Sequence, residues 1–171
     1  MKCIVNVTED WGIGLGNELI VSIRADLKRF REKTTGMTVV LGRKTLAGFP
    51  GGRPLKNRRN IVLTRDENAQ IEGAEIVHNE QELFALVKDI PTDEIMVIGG
   101  ESVYRMLLPY CDEVLLTRTF GDYEADRFFP NLDELAGWSV TEQEPVMEEN
   151  GVQFQYLTYR NATPKAMEET A

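Results

Sequence analysis

The chain has 171 residues, of which 42% are hydrophobic and 27% charged, and its formal net charge is −9. This composition is typical of a folded domain and excludes a disordered chain, while the acidic total argues against a nucleic-acid binder. The charge is unevenly distributed, because residues 24–65 carry a net charge of +10 and the remainder carries −19. A basic segment inside an acidic protein needs an explanation of its own.

The chain contains few of the residues on which several common chemistries depend. Two cysteines, Cys3 and Cys111, are too few for a disulfide scaffold and indicate a reducing cytoplasm. With His78 as its single histidine, the chain makes a histidine-based metal site or a Ser-His-Asp triad hard to build, and we predict no metal. We also expect a cytoplasmic protein, because no apolar run reaches the ~18 residues of a membrane helix and the N-terminus becomes acidic too soon for a signal peptide.

Strand-like apolar runs alternate with helix-like segments along the chain. The predicted strands cover residues 2–7, 37–41, 60–64, 74–77, 94–98, 114–119, 138–143 and 153–159, the last two forming a hairpin around a turn at 148–151. The predicted helices cover residues 24–35, 42–47, 81–87 and 101–108, with Ser22 as the N-cap of the first. This order predicts an α/β domain with a mostly parallel sheet and an antiparallel C-terminal edge.

Two strand-to-helix junctions carry unusual residues, Gly42-Arg43-Lys44-Thr45 and Gly99-Gly100-Glu101-Ser102. In parallel sheets the ligand crevice lies at the carboxyl ends of the strands, and both junctions place backbone N–H groups at a helix start, where an anion is favoured. Neither junction has the spacing of a P-loop. Taken alone, the first is equally compatible with a solvated basic turn, and the second is better explained as a tight turn.

Asp26 and the glycine-rich segment 12–16 are two further candidates. Asp26 lies in the first turn of the predicted helix, where a carboxylate commonly complements the helix dipole. If the face that it shares with Phe30 packs inward, Asp26 is a candidate acid or proton-holding group. The segment 12–16 lacks the spacing of a dinucleotide fingerprint and indicates either a flexible loop or a mobile lid.

Taken together, these residues resemble bacterial dihydrofolate reductases over nearly the whole chain. The resemblance rests on an ordered set of motifs: Ile13-Gly14 with Asn17, Ala25-Asp26-Leu27 with Phe30, Gly42-Arg43-Lys44-Thr45, Arg53-Pro54-Leu55 with Arg58-Arg59-Asn60, Leu63-Thr64-Arg65, Ile98-Gly99-Gly100 with Val103-Tyr104, Leu116-Thr117, and Asp126 with Phe129-Pro130. The family's fold is a mainly parallel eight-stranded central sheet with four flanking helices. The resemblance implies one reductase domain over residues 1–161, an adenosine-binding part at about 37–88, and a disordered tail at 162–171.

The resemblance implies that the chain reduces dihydrofolate to tetrahydrofolate, with NADPH as cofactor, within one-carbon metabolism. Asp26 matches the acidic residue that binds the pterin amidine edge and favours protonation of N5, and Thr117 matches the threonine that supports it. Arg58 matches the arginine that pairs with the glutamate α-carboxylate of the substrate. The remaining substrate-binding positions are Ile4, Val5, Val21, Leu27, Phe30, Arg31, Phe49, Arg53, Leu55, Ile98 and Tyr104.

The implied cofactor site combines the two junctions with the glycine-rich segment. Arg43 and Arg65 match a guanidinium pair for an adenosine 2′-phosphate, which favours NADPH over NADH. Gly99 and Gly100 match the family's cis glycine pair next to the pyrophosphate. The remaining cofactor-binding positions are Asn6, Ile13, Gly14, Asn17, Leu19, Gly42, Lys44, Thr45, Leu63, Thr64, Glu101, Ser102, Val103 and Tyr104. We further predict antifolate-type inhibitors as ligands, a monomer, and no nucleic-acid or membrane partner.

The chain departs from the family in three places. Leu19-Ile20-Val21 replaces the usual Leu-Pro-Trp, so the tryptophan that shapes the pterin pocket is absent; Asn6 replaces a small apolar residue, and Glu101 brings a carboxylate near the phosphates. Two alternatives therefore accompany the reductase hypothesis. One is a weakly active or non-catalytic protein that binds NADPH or folate, and the other is the riboflavin-pathway reductase of the same fold.

Overall fold

Apolar runs and amphipathic segments alternate along the chain, and the computed structural model, which describes residues 1–16 and 18–168, shows the strands and helices that they form. The helices are α1 (Arg24–Thr34), α2 (Arg43–Ala47), α3 (Glu80–Val87) and α4 (Glu101–Leu107). The strands are β1 (Lys2–Thr8), β2 (Gly12–Gly14), β3 (Thr38–Gly42), β4 (Arg59–Leu63), β5 (Ala74–Val77), β6 (Ile95–Gly99), β7 (Glu113–Thr119), β8 (Arg127–Phe128), β9 (Trp138–Gln143), β10 (Met147–Glu149) and β11 (Val152–Asn161). No helix within the described ranges is long and apolar enough to cross a bilayer.

One central sheet organises the domain, with the strand order β10-β11-β7-β1-β6-β3-β4-β5. The six strands from β7 to β5 are parallel, and β11 joins β7 in the antiparallel sense. Strand β9 also pairs with β11 on the edge that β10 occupies, so the two short strands share the eighth position. The fold predicted from the sequence, a mainly parallel eight-stranded sheet with an antiparallel C-terminal edge and four helices, is confirmed.

Alternate residues of the strands face opposite sides of the sheet, as the two-residue period of a strand requires. On β1, the side chains of Cys3, Val5 and Val7 enter the larger core with α3 and α4, whereas Ile4 enters the smaller core. Phe30 of α1 packs against this smaller core. The side of the sheet that α1 covers therefore presents the even-numbered residues of β1.

The C-terminal segment closes one edge of the sheet and then returns to the domain. The predicted hairpin is present, because β9 and β10 both pair with β11 in the antiparallel sense. The predicted disordered tail begins at residue 162, yet the Lys165 backbone N–H donates to the Pro109 carbonyl at 2.9 Å and Met167 packs against the larger core. Residues 169–171 of that tail lie outside the described residues.

A small two-stranded sheet of β2 and β8 follows Trp11. The Trp11 ring stacks on Phe129 at 6.4 Å between ring centroids, meets Tyr159 edge-on at 6.0 Å, and lies 5.3 Å from the guanidinium carbon of Arg118. The Trp11 backbone adopts a φ of 69° and its carbonyl accepts from Phe129 N at 2.9 Å. These contacts fix the point at which the chain leaves the central sheet for the glycine-rich segment.

Candidate active site

A cleft opens where β1 and β7 end and α1 begins. This is the carboxyl end of the parallel strands, where ligands bind in sheets of this kind. Asp26 is the one carboxylate among the described residues that line the cleft. The lining residues are Asn6, Thr8, Gly12, Ile13, Leu19, Ile20, Val21, Ser22, Ile23, Asp26, Leu27 and Thr119.

The carboxylate of Asp26 is held by side chains from two neighbouring strands. Thr117 Oγ1 donates to Asp26 Oδ1 at 2.6 Å, and Asn6 Nδ2 donates to Asp26 Oδ2 at 2.9 Å. Thr119 Oγ1 in turn donates to Asn6 Oδ1 at 2.7 Å. Asn6 pairs with Thr117 in the register of β1 and β7, so the side chains of both residues lie on the face that α1 covers. We call these four residues the carboxylate floor.

The start of α1 is held from a distant part of the chain. Its N-cap residue is Ile23, which has no side-chain cap, so the prediction of Ser22 as the N-cap is wrong. The carboxylate of Glu149, at the end of β10, accepts from the backbone N–H groups of Arg24 and Ala25 at 2.7 and 3.2 Å. This carboxylate satisfies two of the free donors at a helix N-terminus and thereby anchors the helix that carries Asp26.

Apolar side chains form a wall beside the floor. Phe30, Phe49 and Leu55 pack against the smaller core around Ile4 and Ile98. By contrast, Leu27 and Leu19 are unusually exposed for leucine, at 48% and 67%. The sequence predicts Leu27 as a substrate contact and Leu19 as a cofactor contact. Both line the cleft, so a flat apolar ligand bound there would cover them.

Two residues predicted to line the substrate site point elsewhere. Val5 belongs to the larger core on the opposite side of the sheet, so its side chain cannot face the carboxylate floor. The period of two along β1 explains this, since Ile4 and Asn6 occupy the other face. Tyr104 is buried in the same larger core, and its hydroxyl donates to the Ile4 carbonyl at 2.7 Å. Burial and the nearby Cys3 raise the pKa of this tyrosine well above its ordinary value.

Arginines lie along the rim of the site. Arg58 Nη1 donates to the buried Thr34 hydroxyl at 2.9 Å, and Arg58 Nε donates to the Lys56 carbonyl at 2.8 Å. Burial and the neighbouring positive charge of Arg31 lower the pKa of Arg58. Two guanidinium groups brought this close together favour an anion between them. Arg53, the third predicted arginine here, is exposed.

The two predicted junctions meet at the ends of β3 and β6. The Gly99–Gly100 peptide is cis, and a Cβ atom added to either glycine would lie 3.2 or 3.1 Å from Thr45 Oγ1. A Cβ atom at Gly42 would lie 3.2 Å from Val103. The glycines therefore leave bare backbone where α2 and α4 begin, and only residues without a side chain allow this close approach.

Acidic residues accompany the cationic part of this surface. Arg43 Nη1 donates to Asp66 at 2.7 Å, and Arg43, Lys44 and Arg65 are all exposed. The Asn68 backbone N–H and then the Arg43 guanidinium lower the pKa of Asp66 below its ordinary value. We use the term arginine rim for Arg31, Arg43, Arg53, Arg58 and Arg65. Leu63 and Thr64, two further predicted cofactor positions, are half-buried at the end of β4 and just beyond it.

The Glu101 carboxylate accepts a hydrogen bond from the small sheet. Its Oε2 atom accepts from the Phe128 backbone N–H at 2.6 Å, which ties the start of α4 to β8. One oxygen of this carboxylate, which the family resemblance places near the cofactor phosphates, is thus engaged by a backbone donor. Ser102, the next residue, is exposed.

The glycine-rich segment covers one side of the cleft. Ile13 and Val21 line the cleft, and the Asp126 carboxylate accepts from Gly16 N at 3.1 and 3.0 Å. Gly14 accepts through its carbonyl from Asp126 N at 3.0 Å. Asn17, which the sequence predicts as a cofactor ligand, lies outside the described residues.

The structure thus brings most of the predicted residues into two adjoining surfaces. Three contributions were not predicted from the sequence: the Asn6 side chain, the cap from Glu149 and the ion pair of Asp66 with Arg43. The alternation of Thr117 and Thr119 on β7 could have indicated the floor, since both hydroxyls must face the same side. Fold and site together define a mixed α/β protein with a one-carboxylate cleft beside a glycine- and arginine-lined surface.

Comparison with known proteins identifies the family. Residues 1–161 match the family model described as dihydrofolate reductase, and the chain belongs to this family. It is 34% identical to the dihydrofolate reductase of Bacillus subtilis (strain 168) over 149 residues, which is 86% of either chain. It is 35% identical to that of Staphylococcus haemolyticus over 142 residues, covering 82% of this chain and 83% of the relative.

A solved structure agrees with these relatives. The chain matches dihydrofolate reductase from Enterococcus faecalis complexed with NADP(H) and RAB-propyl, with a TM-score of 0.81 and 34% sequence identity. The match covers 94% of this chain and 95% of that one.

Proposed function

We propose that this chain carries out the reaction of its family, the NADPH-dependent reduction of 7,8-dihydrofolate to 5,6,7,8-tetrahydrofolate, with Asp26 as the acidic residue of the site. One observation carries the assignment of Asp26: its carboxylate faces the cleft and is fixed there by Thr117 and Asn6. Two acceptor oxygens held in one plane match the paired N–H donors of a pterin amidine edge.

The proposed substrate lies between the floor and the rim. Its pterin ring meets the apolar wall of Leu27, Phe30 and Phe49, which excludes water from the reacting carbon and nitrogen. Arg58, with Arg31 beside it, receives the glutamate α-carboxylate. Burial and the charge of Arg31 destabilise the positive charge of Arg58, as its lowered pKa indicates, and a bound anion would stabilise that charge. Arg53 adds a more distant positive charge to the same rim.

Favouring protonation of N5 is the task of Asp26 in this proposal. By accepting from the amidine edge, the carboxylate stabilises positive charge on the pterin and so favours a proton at N5. Thr117 keeps the acceptor in place and adds no titrating group. Neutral hydroxyl and amide donors are suited to this purpose, because they fix a carboxylate without bringing a competing charge.

The residues on the second surface fit a dinucleotide. Gly42, Gly99 and Gly100 leave room for the close approach of phosphate oxygens, and Thr45 contributes a hydroxyl beside them. Arg43 and Arg65 stand at the strand ends, where a 2′-phosphate would distinguish NADPH from NADH. When bound, NADPH supplies the hydride that is transferred from nicotinamide C4 to pterin C6.

Several coarser properties belong to the same proposal. We assign residues 1–161 to one reductase domain with its adenosine-binding part at about 37–88, and we expect a cytoplasmic monomer that binds no nucleic acid. The two free buried cysteines, Cys3 and Cys111, agree with a reducing compartment. Sedimentation at micromolar concentration tests the expected monomer.

The direct test is loss of NADPH absorbance on addition of dihydrofolate, with and without an antifolate. We expect turnover in the wild type and a loss of about 100-fold or more in Asp26→Asn, since proton transfer by a positioned group contributes roughly 10²–10⁴-fold. Tight NADPH binding without turnover would instead support a binding protein. Turnover of a ribosylaminopyrimidine in place of dihydrofolate would support the riboflavin-pathway alternative.

A further inference from the structure

Asn6 occupies a position where a parallel strand does not favour it. Asparagine is depleted in strands, and a half-buried amide needs partners for its donor and its acceptor. Both ends of this amide are engaged, by Asp26 at 2.9 Å and by Thr119 at 2.7 Å. The side chain therefore links the carboxylate on α1 to the end of β7.

The network fixes the orientation of this amide. In the opposite orientation, Asn6 Oδ1 would face the Asp26 carboxylate, and two acceptors would oppose each other without a proton between them. The Thr119 hydroxyl can rotate to donate to the amide oxygen, as it does here. The carboxylate oxygen and the hydroxyl therefore select the orientation in which the amide donates to Asp26.

Two donors restrain the carboxylate more than one can. With Thr117 alone, Asp26 could still rotate about its Cβ–Cγ bond, whereas a second donor on the other oxygen fixes the carboxylate plane. Each oxygen has two lone pairs, so one on each remains available to a ligand in the cleft. Val21 offers no polar side-chain atom that could share this task.

We propose that Asn6 is a positioning residue, whose side-chain amide holds the Asp26 carboxylate in the plane that accepts two N–H donors from the substrate. This inference rests on the proposed function in one respect, that Asp26 binds the pterin. It assigns to the Asn6 side chain a task separate from the backbone contact with the cofactor that the family resemblance implies. The geometry needed for two parallel hydrogen bonds is lost if the plane turns.

The test measures substrate binding separately from turnover. In Asn6→Ala we expect the dissociation constant for dihydrofolate, titrated by calorimetry without NADPH, to rise about 10-fold, as expected for a lost hydrogen bond to a charged group. The dissociation constant for NADPH alone should stay within about 3-fold, because the backbone of β1 is unchanged. An unchanged dihydrofolate affinity in a folded Asn6→Ala protein would overturn the proposal.

A matched pair of valine variants gives a second measurement that does not require Asn6 to be replaced. Thr119→Val removes the hydroxyl that orients the amide, and Thr158→Val makes the same change at a buried position of β11 outside the carboxylate floor. We expect weaker dihydrofolate binding in Thr119→Val and none of this effect in Thr158→Val. Equal affinities in the two variants contradict the proposal.

The side-chain amide resonances of Asn6, assigned in the wild type through their connectivity to the Asn6 backbone, provide a spectroscopic signature. They should shift in Asp26→Asn and in Thr119→Val, and stay in place in Thr158→Val. Resonances insensitive to Asp26→Asn would overturn the proposal even if Asn6→Ala does not fold. These measurements are made without NADPH and do not depend on turnover. A wild type that binds dihydrofolate but does not reduce it would reject the proposed function. The role of Asn6 would still be decided by the dissociation constants and the amide resonances.

Discussion

The carboxylate floor and the arginine rim treat charge in opposite ways. In the floor, one carboxylate is fixed by neutral donors from β1 and β7. Along the rim, the guanidinium groups are mostly exposed. Arg43 is paired with the Asp66 carboxylate, so a ligand phosphate would have to compete with Asp66 for it. Orientation of one ligand group and attraction of another are thus separate tasks. Changes in the floor should reduce turnover as well as dihydrofolate binding, whereas changes along the rim should weaken binding and leave turnover nearly unchanged.

Arg58→Gln provides the largest test of the rim. We expect the KM for dihydrofolate to rise about 10–100-fold, because a charge-assisted hydrogen bond contributes about 1.5–3 kcal/mol, while kcat changes little. Arg59→Gln is the matched control, because the Arg59 guanidinium donates to the Glu75 carboxylate at 2.7 and 3.1 Å and is thereby already paired. Steady-state kinetics on both variants checks this, and a kcat loss equal to the KM rise would remove the distinction between rim and floor.

Arg43→Ala tests the other end of the rim. We expect about 10-fold weaker NADPH binding with little change for NADH, because only NADPH carries the 2′-phosphate. Asp66→Asn should act in the opposite direction and strengthen NADPH binding by a few-fold. The Asp66 carboxylate, whose pKa the Asn68 backbone N–H and then Arg43 lower further, competes with a phosphate for Arg43. Fluorescence titration with both cofactors measures the effects, and equal losses for NADPH and NADH would contradict the assignment.

Salt should separate the two regions without a mutation. Raising the ionic strength from about 0.1 to 1 M shortens the screening length from about 10 to 3 Å, which weakens exposed charges far more than buried ones. We expect the KM values for dihydrofolate and NADPH to rise several-fold and kcat to stay within about 2-fold. Initial rates over a salt series test this, and a steep fall in kcat would show that the floor also depends on screened charge.

Glu149→Ala has the smallest expected effect, a decrease in thermal stability, because it removes the cap of the helix that carries Asp26. Loss of a helix cap costs about 1 kcal/mol, which corresponds to a decrease in Tm of about 2–4 °C in a chain of this size. Glu148→Ala is the matched control, because Glu148 is exposed and Glu149 alone caps α1 among the described residues. Equal melting temperatures for the two variants would show that the cap adds nothing to stability.

The elements that the sequence predicted correctly are those with strong local patterns. The apolar runs of β1, β3, β4 and β6 are mostly buried, and each ends near the predicted residue. By contrast, the cap of α1 comes from Glu149, more than a hundred residues away, so the local pattern pointed to Ser22 instead. Tertiary contacts of this kind leave no periodic signal in the chain.

Several residues that line the cleft could be selected from the sequence, but the directions of their side chains could not. Asp26 and Thr117 were predicted together and are bonded in the structure. Val5 was placed with Ile4 because both match the family, although strand alternation directs their side chains to opposite faces. The Asn6 amide went unrecognised because the family contact at this position is through the backbone. Its partner Thr119 is two residues beyond Thr117, on the same face of β7.

Trp11 provides the molecule with an optical reporter. Its indole is buried against Phe129 and Tyr159, and the glycine-rich segment beside the cleft starts at the next residue. The chain has one other tryptophan, Trp138 at the start of β9. With Trp138 replaced by phenylalanine, the emission of a single indole follows any rearrangement of the segment 12–16, in real time and without an attached dye.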